Sequence, residues 1–155
     1  MTPPTVAHET FVIERTYRVP VAQAFRAWAD PLQKARWFAG SAEALGTTYE
    51  LDFRVGGREV NRGGPPGGPA YTYEAEFRDI VPEQRIVYTY EMHADDARIS
   101  VSVATVLFSG DDATAKLVLT ELGAFLDGLD TVAQREEGTR SLLDSLAAHL
   151  AGRGS

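Results

Sequence analysis

The segment from Phe11 to Phe38, FVIERTYRVPVAQAFRAWADPLQKARWF, restricts the fold more than any other stretch of this chain. An extended run reaches Pro20, where a helix begins, since a proline at the first helical position lacks only a donor that would be orphaned anyway. A second, shorter helix starts at Asp30-Pro31, with the Asp30 carboxylate placed to accept from the free backbone donors of the first turn. Val21, Phe25, Trp28 and Leu32 recur at spacings of three and four, which predicts one apolar stripe. Trp37-Phe38 sets two large aromatics where the short helix ends. A strand and two short helices cannot bury these groups alone, so they need a partner surface from the remainder of the chain.

That remainder is mostly strand. Tyr49 to Val55 alternates polar and apolar, the mark of a strand with one buried face. Gly56-Gly57 reads as a hairpin turn, since glycine accepts positive φ. Arg58 to Arg62 returns as a strand, and Gly63 to Pro69, GGPPGGP, can only be a loop. Tyr71 to Ile80 alternates with Tyr71, Tyr73, Ala75 and Phe77 on one face and Glu74, Glu76 and Arg78 on the other. Pro82-Glu83 turns the chain into Arg85 to Met92, where Ile86, Tyr88, Tyr90 and Met92 share a face, and His93 to Ala97 is turn-like. Arg98 to Phe108 has two apolar sets of opposite parity, Ile99-Val101-Val103 and Val106-Phe108, which a bulge near Ala104-Thr105 would reconcile. After a turn at Gly110-Asp111-Asp112, Ala115 to Glu121 is the last strand, with Leu117 and Leu119 inward. Val132 to Ala151 closes the chain as an amphipathic helix whose stripe is Val132, Leu142, Leu143, Leu146 and Leu150. The long helix alone can cover so aromatic a sheet, and a sheet curled around it leaves a space between them.

Composition narrows the function classes. With 22 acidic against 15 basic residues and a net charge of −7, the surface repels phosphate backbones and anionic membranes. Arg54, Arg58 and Arg62 form one short basic cluster, interrupted by Asp52 and Glu59, so nucleic acid is not expected as a partner. No apolar run approaches the roughly 20 residues of a membrane span. MTPPTVAHET lacks the basic and apolar regions of a signal peptide, which points to the cytoplasm. The chain has no cysteine, excluding disulfides, thiolate nucleophiles and cysteine-bound metals.

The order of these elements, with these residues, resembles the START-like or helix-grip superfamily, also called SRPBCC. Within it the chain is most similar to the bacterial group resembling the C-terminal domain of the activator of the heat-shock-protein-90 ATPase. The resemblance is carried by Ile13-Glu14-Arg15-Thr16, by Phe25-Arg26-Ala27-Trp28-Ala29-Asp30-Pro31 and by Ala35-Arg36-Trp37-Phe38. It continues in Phe53-Arg54-Val55-Gly56-Gly57-Arg58, in Ile80 through Tyr90, and in Glu136-Glu137-Gly138 with Leu142-Leu143-Asp144-Ser145-Leu146. One departure is Thr139, where the family commonly has an aromatic, and it should enlarge or reshape the interior. The resemblance implies an α+β helix-grip fold, a seven-stranded antiparallel sheet curved around the C-terminal helix, and a cavity for apolar or amphipathic small molecules. It does not imply a reaction, since the superfamily includes lipid carriers, hormone receptors, polyketide cyclases and co-chaperones. The eukaryotic activators carry an additional N-terminal domain for which this chain has no room.

The residues offer few catalytic constellations. His8 falls in an N-terminal arm expected to be flexible, His93 at a strand end and His149 near the end of the last helix. None has a partner at metal-ligand spacing, so neither a metal nor a cofactor is expected. The glycine- and proline-rich loop reads as a mobile hairpin loop, or as a gate over one end of the cavity. Glu74 and Glu76 read as a solvated face, and no G-x-S-x-G elbow supports a hydrolase. Arg58 shares parity with Val60, and Glu121 with Leu117 and Leu119, so both are candidates to face inward. They would either pair there or orient a polar ligand group, the alternative being that they reach out to solvent at the sheet edge. The aromatic set Trp28, Trp37, Phe53, Tyr73, Phe77, Tyr88 and Tyr90, with Val103, Gly138 and Leu142, completes the expected lining of an enclosed pocket of several hundred Å³, the usual size of ligand sites.

The resulting expectation is a single domain over residues 1–155, with an ordered core from 9 to 151, that binds a small apolar or amphipathic ligand. Catalysis is not expected. The alternatives are an enzyme of the polyketide cyclase or aromatase type and a module that docks on a chaperone or regulator; homodimerisation is left open.

Overall fold

The computed structural model describes residues 3–44, 46 and 48–152. Seven antiparallel strands form one sheet in the order β1-β7-β6-β5-β4-β3-β2. They are β1 (Val6–Tyr17), β2 (Tyr49–Leu51), β3 (Arg58–Gly63), β4 (Tyr71–Val81), β5 (Arg85–Ala94), β6 (Ala97–Gly110) and β7 (Ala115–Leu126). Between β1 and β2 lie α1 (Val21–Ala29), α2 (Pro31–Phe38) and a short 3-10 turn at Ala42–Ala44; α3 (Val132–Leu150) ends the fold. This is the helix-grip arrangement. Of residues 152–155, expected to lie beyond the ordered core as a frayed tail, all but Gly152 lie outside the described residues, as do Leu45 and Thr47 of the connector before β2. No helix among the described residues is long and apolar enough to cross a membrane.

Local chemistry accounts for the helical segment. Asp30 caps α2 by accepting from the Leu32 backbone N–H at 3.3 Å, with Pro31 in the first turn. Pro20 occupies the capping position of α1 rather than its first turn. The Trp37 indole donates to the Ala27 carbonyl at 2.8 Å, clamping α2 onto α1. Leu32, expected on the stripe of the first helix, is exposed. The chain leaves the helix at Asp30 and restarts, so the three-to-four spacing no longer carries its direction across.

Four sheet expectations are corrected. The strand expected over Tyr49 to Val55 stops at Leu51, because the next residues fold into a tight loop that bonds to β4. Gly56 N–H donates to the Phe77 carbonyl and Phe77 N–H to the Gly57 carbonyl, at 2.8 and 3.0 Å. Gly56 supplies the positive φ, whereas Gly57 is needed for space: a Cβ there would lie 2.1 Å from the Asp52 carbonyl oxygen. In β6 the inward set is Ser100, Ser102, Ala104, Val106 and Phe108, while Val101 and Val103 face out. Pairing runs unbroken through Ala104-Thr105, and the register shift falls opposite Met92 and His93, skipping Ile99. In β3 the buried residue is Glu59, while Arg58 faces solvent. The strand β1 also begins before the expected core, so that His8 pairs with Ala124.

The core lies between the concave face of the sheet and the helices. The C-terminal half of α3 buries Leu143, Leu146 and Leu150 in one core cluster with Ile13, Leu117 and Leu119 of the sheet and Ala24 of α1. Phe25 meets Phe53 and Phe108 edge to face, and Phe53 meets Phe77 in the same way at 5.0 Å. Such contacts add roughly 0.5–1.5 kcal/mol each beyond the area they bury.

Candidate functional site

The N-terminal half of α3 does not settle on the sheet in the same manner. Arg135, Gly138, Thr139 and Leu142, at helical spacings, face a cavity of about 270 Å³. Its floor is Tyr73, Tyr88, Tyr90, Met92 and Leu119 of the sheet; Trp28, Trp37 and Phe38 close the side towards α1 and α2. The enclosed pocket expected from the sequence is open at one edge instead of sealed. The exposed residues Gln134 and Gly138 stand on its rim.

One wall is polar. The Arg135 guanidinium reaches from α3 to three strands. One terminal nitrogen donates to the Tyr90 hydroxyl at 2.9 Å and to Glu121 Oε2 at 3.4 Å, and the other to Ser100 Oγ and Asp130 Oδ2, both at 2.7 Å. Tyr90 in turn donates to Glu121 Oε2 at 2.7 Å. Burial works against the Arg135 charge, but Tyr90, Glu121 and Asp130 outweigh it and raise the Arg135 pKa. Burial pushes Glu121 above the usual carboxylate range, against the opposing effect of the Tyr90 and Arg135 donors. Burial, with nearby carboxylates and phenols, holds Tyr73, Tyr88 and Tyr90 above the ordinary phenol range. These tyrosines are therefore neutral phenols at physiological pH, not bases.

A second buried charge cluster supports the opposite side. Lys34 of α2 places its ammonium 2.8 and 3.1 Å from the two oxygens of Glu59, and the Tyr49 hydroxyl donates to the same carboxylate. The side chains of Lys34 and Glu59 are only 2% and 1% exposed. The Lys34 ammonium also lies over the Trp28, Trp37 and Phe38 rings, at 4.8, 5.4 and 4.4 Å from their centroids. Burial lowers the Lys34 pKa and Glu59 opposes that.

Of the residues expected to line the pocket, Trp28, Trp37, Tyr73, Tyr88, Tyr90, Glu121, Gly138 and Leu142 do so. Four do not. Phe53 and Phe77 pack on each other within the Phe25 cluster. Val103 lies on the outer face, 42% exposed. Arg58 also faces outward, 62% exposed at the side chain and paired with Glu74 at 3.2 Å, so it is not the partner of Glu121. Arg135 is that partner, and sequence reasoning passed over it. A usable signal existed: Arg135 lies three and four residues before Gly138 and Thr139, the two small residues of the same face. Lys34 was equally readable, three and four residues before Trp37 and Phe38.

Comparison with known proteins decides the family. Residues 18–151 match the model of the activator of Hsp90 ATPase homolog 1-like proteins. The chain belongs to this family. An uncharacterized protein from Rhizobium leguminosarum is 42% identical to this AHSA1-like chain, with a TM-score of 0.90 over 97% of this chain and 99% of that one. The Mll3558 protein from Rhizobium loti is 44% identical, with a TM-score of 0.85 over 93% and 98%. CalU16 from Micromonospora echinospora shares the fold at 17% identity, with a TM-score of 0.62 over 99% of this chain and 86% of that one. No curated protein matches the chain.

Proposed function

We propose that this AHSA1-like protein binds a small, largely apolar molecule in the cavity between its sheet and the N-terminal half of α3. The observation that carries this reading is the cavity itself: about 270 Å³, walled mainly by aromatic and aliphatic side chains, with the charged groups Arg135, Glu121 and Asp130 gathered on one wall and Asn61 of β3 apart from them. Ligand sites combine an apolar body of this kind with a few fixed polar groups that orient the guest. Thr139 supports the same reading. Its hydroxyl bonds to the Arg135 carbonyl at 2.9 Å within its own helix, so it fills little of the space that the aromatic common at this position would take.

Titration with the uncharged dye N-phenyl-1-naphthylamine tests this. Saturable one-to-one fluorescence enhancement is expected, weakened at least tenfold in Thr139→Phe while the thermal melt stays cooperative. No saturable enhancement, or equal binding by a folded Thr139→Phe, would overturn it.

A further inference from the structure

Resting on that reading, we propose that the cavity selects an amphiphile whose polar end is a protonated amine and rejects the carboxylate of the same body. Among the described residues the cavity has one guanidinium, that of Arg135, and both of its terminal nitrogens are engaged. Its two terminal nitrogens make four contacts, to Tyr90, Glu121, Ser100 and Asp130, at 2.7–3.4 Å. An incoming carboxylate that bonds to either terminal nitrogen would have to displace one of these and lie beside the carboxylates that remain. Glu121 and Asp130 against Arg135 leave an excess of one negative charge at the lining. Between the apolar walls that excess acts on a guest more strongly than it would at the open surface. The net charge of −7 on the whole chain adds a field of the same sign.

The aromatic walls favour the same guest. Trp28, Trp37, Phe38, Tyr73, Tyr90 and Tyr88 form a continuous arc, with successive centroids 5.0, 5.8, 5.1, 4.7 and 6.1 Å apart. Ring faces carry negative charge density and attract ammonium groups, as in the aromatic cages that bind alkylated amines. The protein already uses three of these rings in this way, because the Lys34 ammonium lies over Trp28, Trp37 and Phe38. Lys34 does not oppose a second cation strongly, since both oxygens of Glu59 neutralise it at hydrogen-bond distance.

Isothermal titration with 4-phenylbutylamine, 4-phenylbutan-1-ol and 4-phenylbutanoate at pH 8 compares three polar ends on one body. The amine is expected to bind at least tenfold more tightly than the carboxylate, with the alcohol between them. In Glu121→Gln and in Asp130→Asn the amine-to-carboxylate ratio should fall several-fold; because it is taken within each variant, a general loss of affinity cancels. Equal or tighter binding of the carboxylate, an unchanged ratio in both folded variants, or no binding of any of the three beside a bound naphthylamine dye overturns the proposal and leaves the cavity reading standing. If the dye fails as well, both fall.

Discussion

Gly138 is the position where stability and binding should move in opposite directions. It lies inside α3, and an ideal Cβ built there meets no atom within 4 Å. Close packing of backbone against the sheet therefore does not explain the glycine, and its φ does not require one. A helical glycine costs roughly 1 kcal/mol relative to alanine, because it gives up more backbone freedom on folding. Gly138→Ala should thus stabilise the domain by about 0.8–1 kcal/mol, which for this size raises Tm by roughly 2–4 °C. Leucine is nearly as good a helix former, so Gly138→Leu should also melt higher than the parent. Its side chain, however, stands on the rim of the cavity, and dye affinity should fall at least tenfold, about 1.4 kcal/mol or more. Thermal melts beside N-phenyl-1-naphthylamine titrations read both quantities on the same samples. A lowered Tm for Gly138→Ala would refute the packing argument; Gly138→Leu that melts higher and binds as before would refute the placement of the site.

The charged groups give three further expected outcomes. Lys34→Met or Glu59→Leu alone should destabilise by about 3–5 kcal/mol in denaturant titrations, because each leaves an uncompensated buried charge, while the double variant recovers much of that loss. Arg58→Ala, on the solvent face, should cost under about 1 kcal/mol, whereas Arg135→Met should cost about 3 kcal/mol by stranding Glu121; comparable losses would show that the two arginines had been placed wrongly. Burial, with Arg36 nearby, lowers the His149 pKa below its ordinary 6.5. The folded state therefore favours the neutral ring, and this contribution is full above about pH 6.5 and lost as pH falls through the depressed pKa. The stability difference between the parent and His149→Gln should change between pH 7.5 and 5, and a constant difference across that range would contradict the assignment.

The order of elements was legible because their boundaries are chemical. Asp30-Pro31 can cap one helix and not continue another; the glycine- and proline-rich loop cannot be strand; Tyr71 to Met92 alternates on either side of one turn. The phase of β3 and β6 was not legible, and for one reason. Alternation assigns a face only if charges point out and hydrocarbons in. In β3 the inward residue is Glu59, neutralised by a lysine 25 positions earlier in the chain. In β6 the outward residues include Val101, Val103 and Leu107, each 40% or more exposed, so the strand is apolar on both faces. Inverting β3 is what made Arg58 look like the partner of Glu121. The true partner lies on a helix, and no periodicity within a strand could have pointed to it.

The two halves of α3 show why there is a cavity at all. From Leu143 onward the helix buries leucines directly against the sheet and α1, and the gap closes as hydrocarbon surfaces leave water. Before Leu143 the positions facing the cavity are Arg135, Gly138, Thr139 and Leu142, and three of these four offer little hydrocarbon to drive the same approach. Arg135 instead spans to the sheet through directional bonds, holding the helix at the length of its own side chain. The Lys34–Glu59 pair does the same for α2 against β3. Buried ion pairs contribute less to stability than well-packed hydrocarbon of similar volume, so they are poor candidates for simply filling a core. As struts they do something hydrocarbon does not, since a guanidinium and a carboxylate must meet at fixed distance and direction. The space they hold open is the space the aromatic arc encloses.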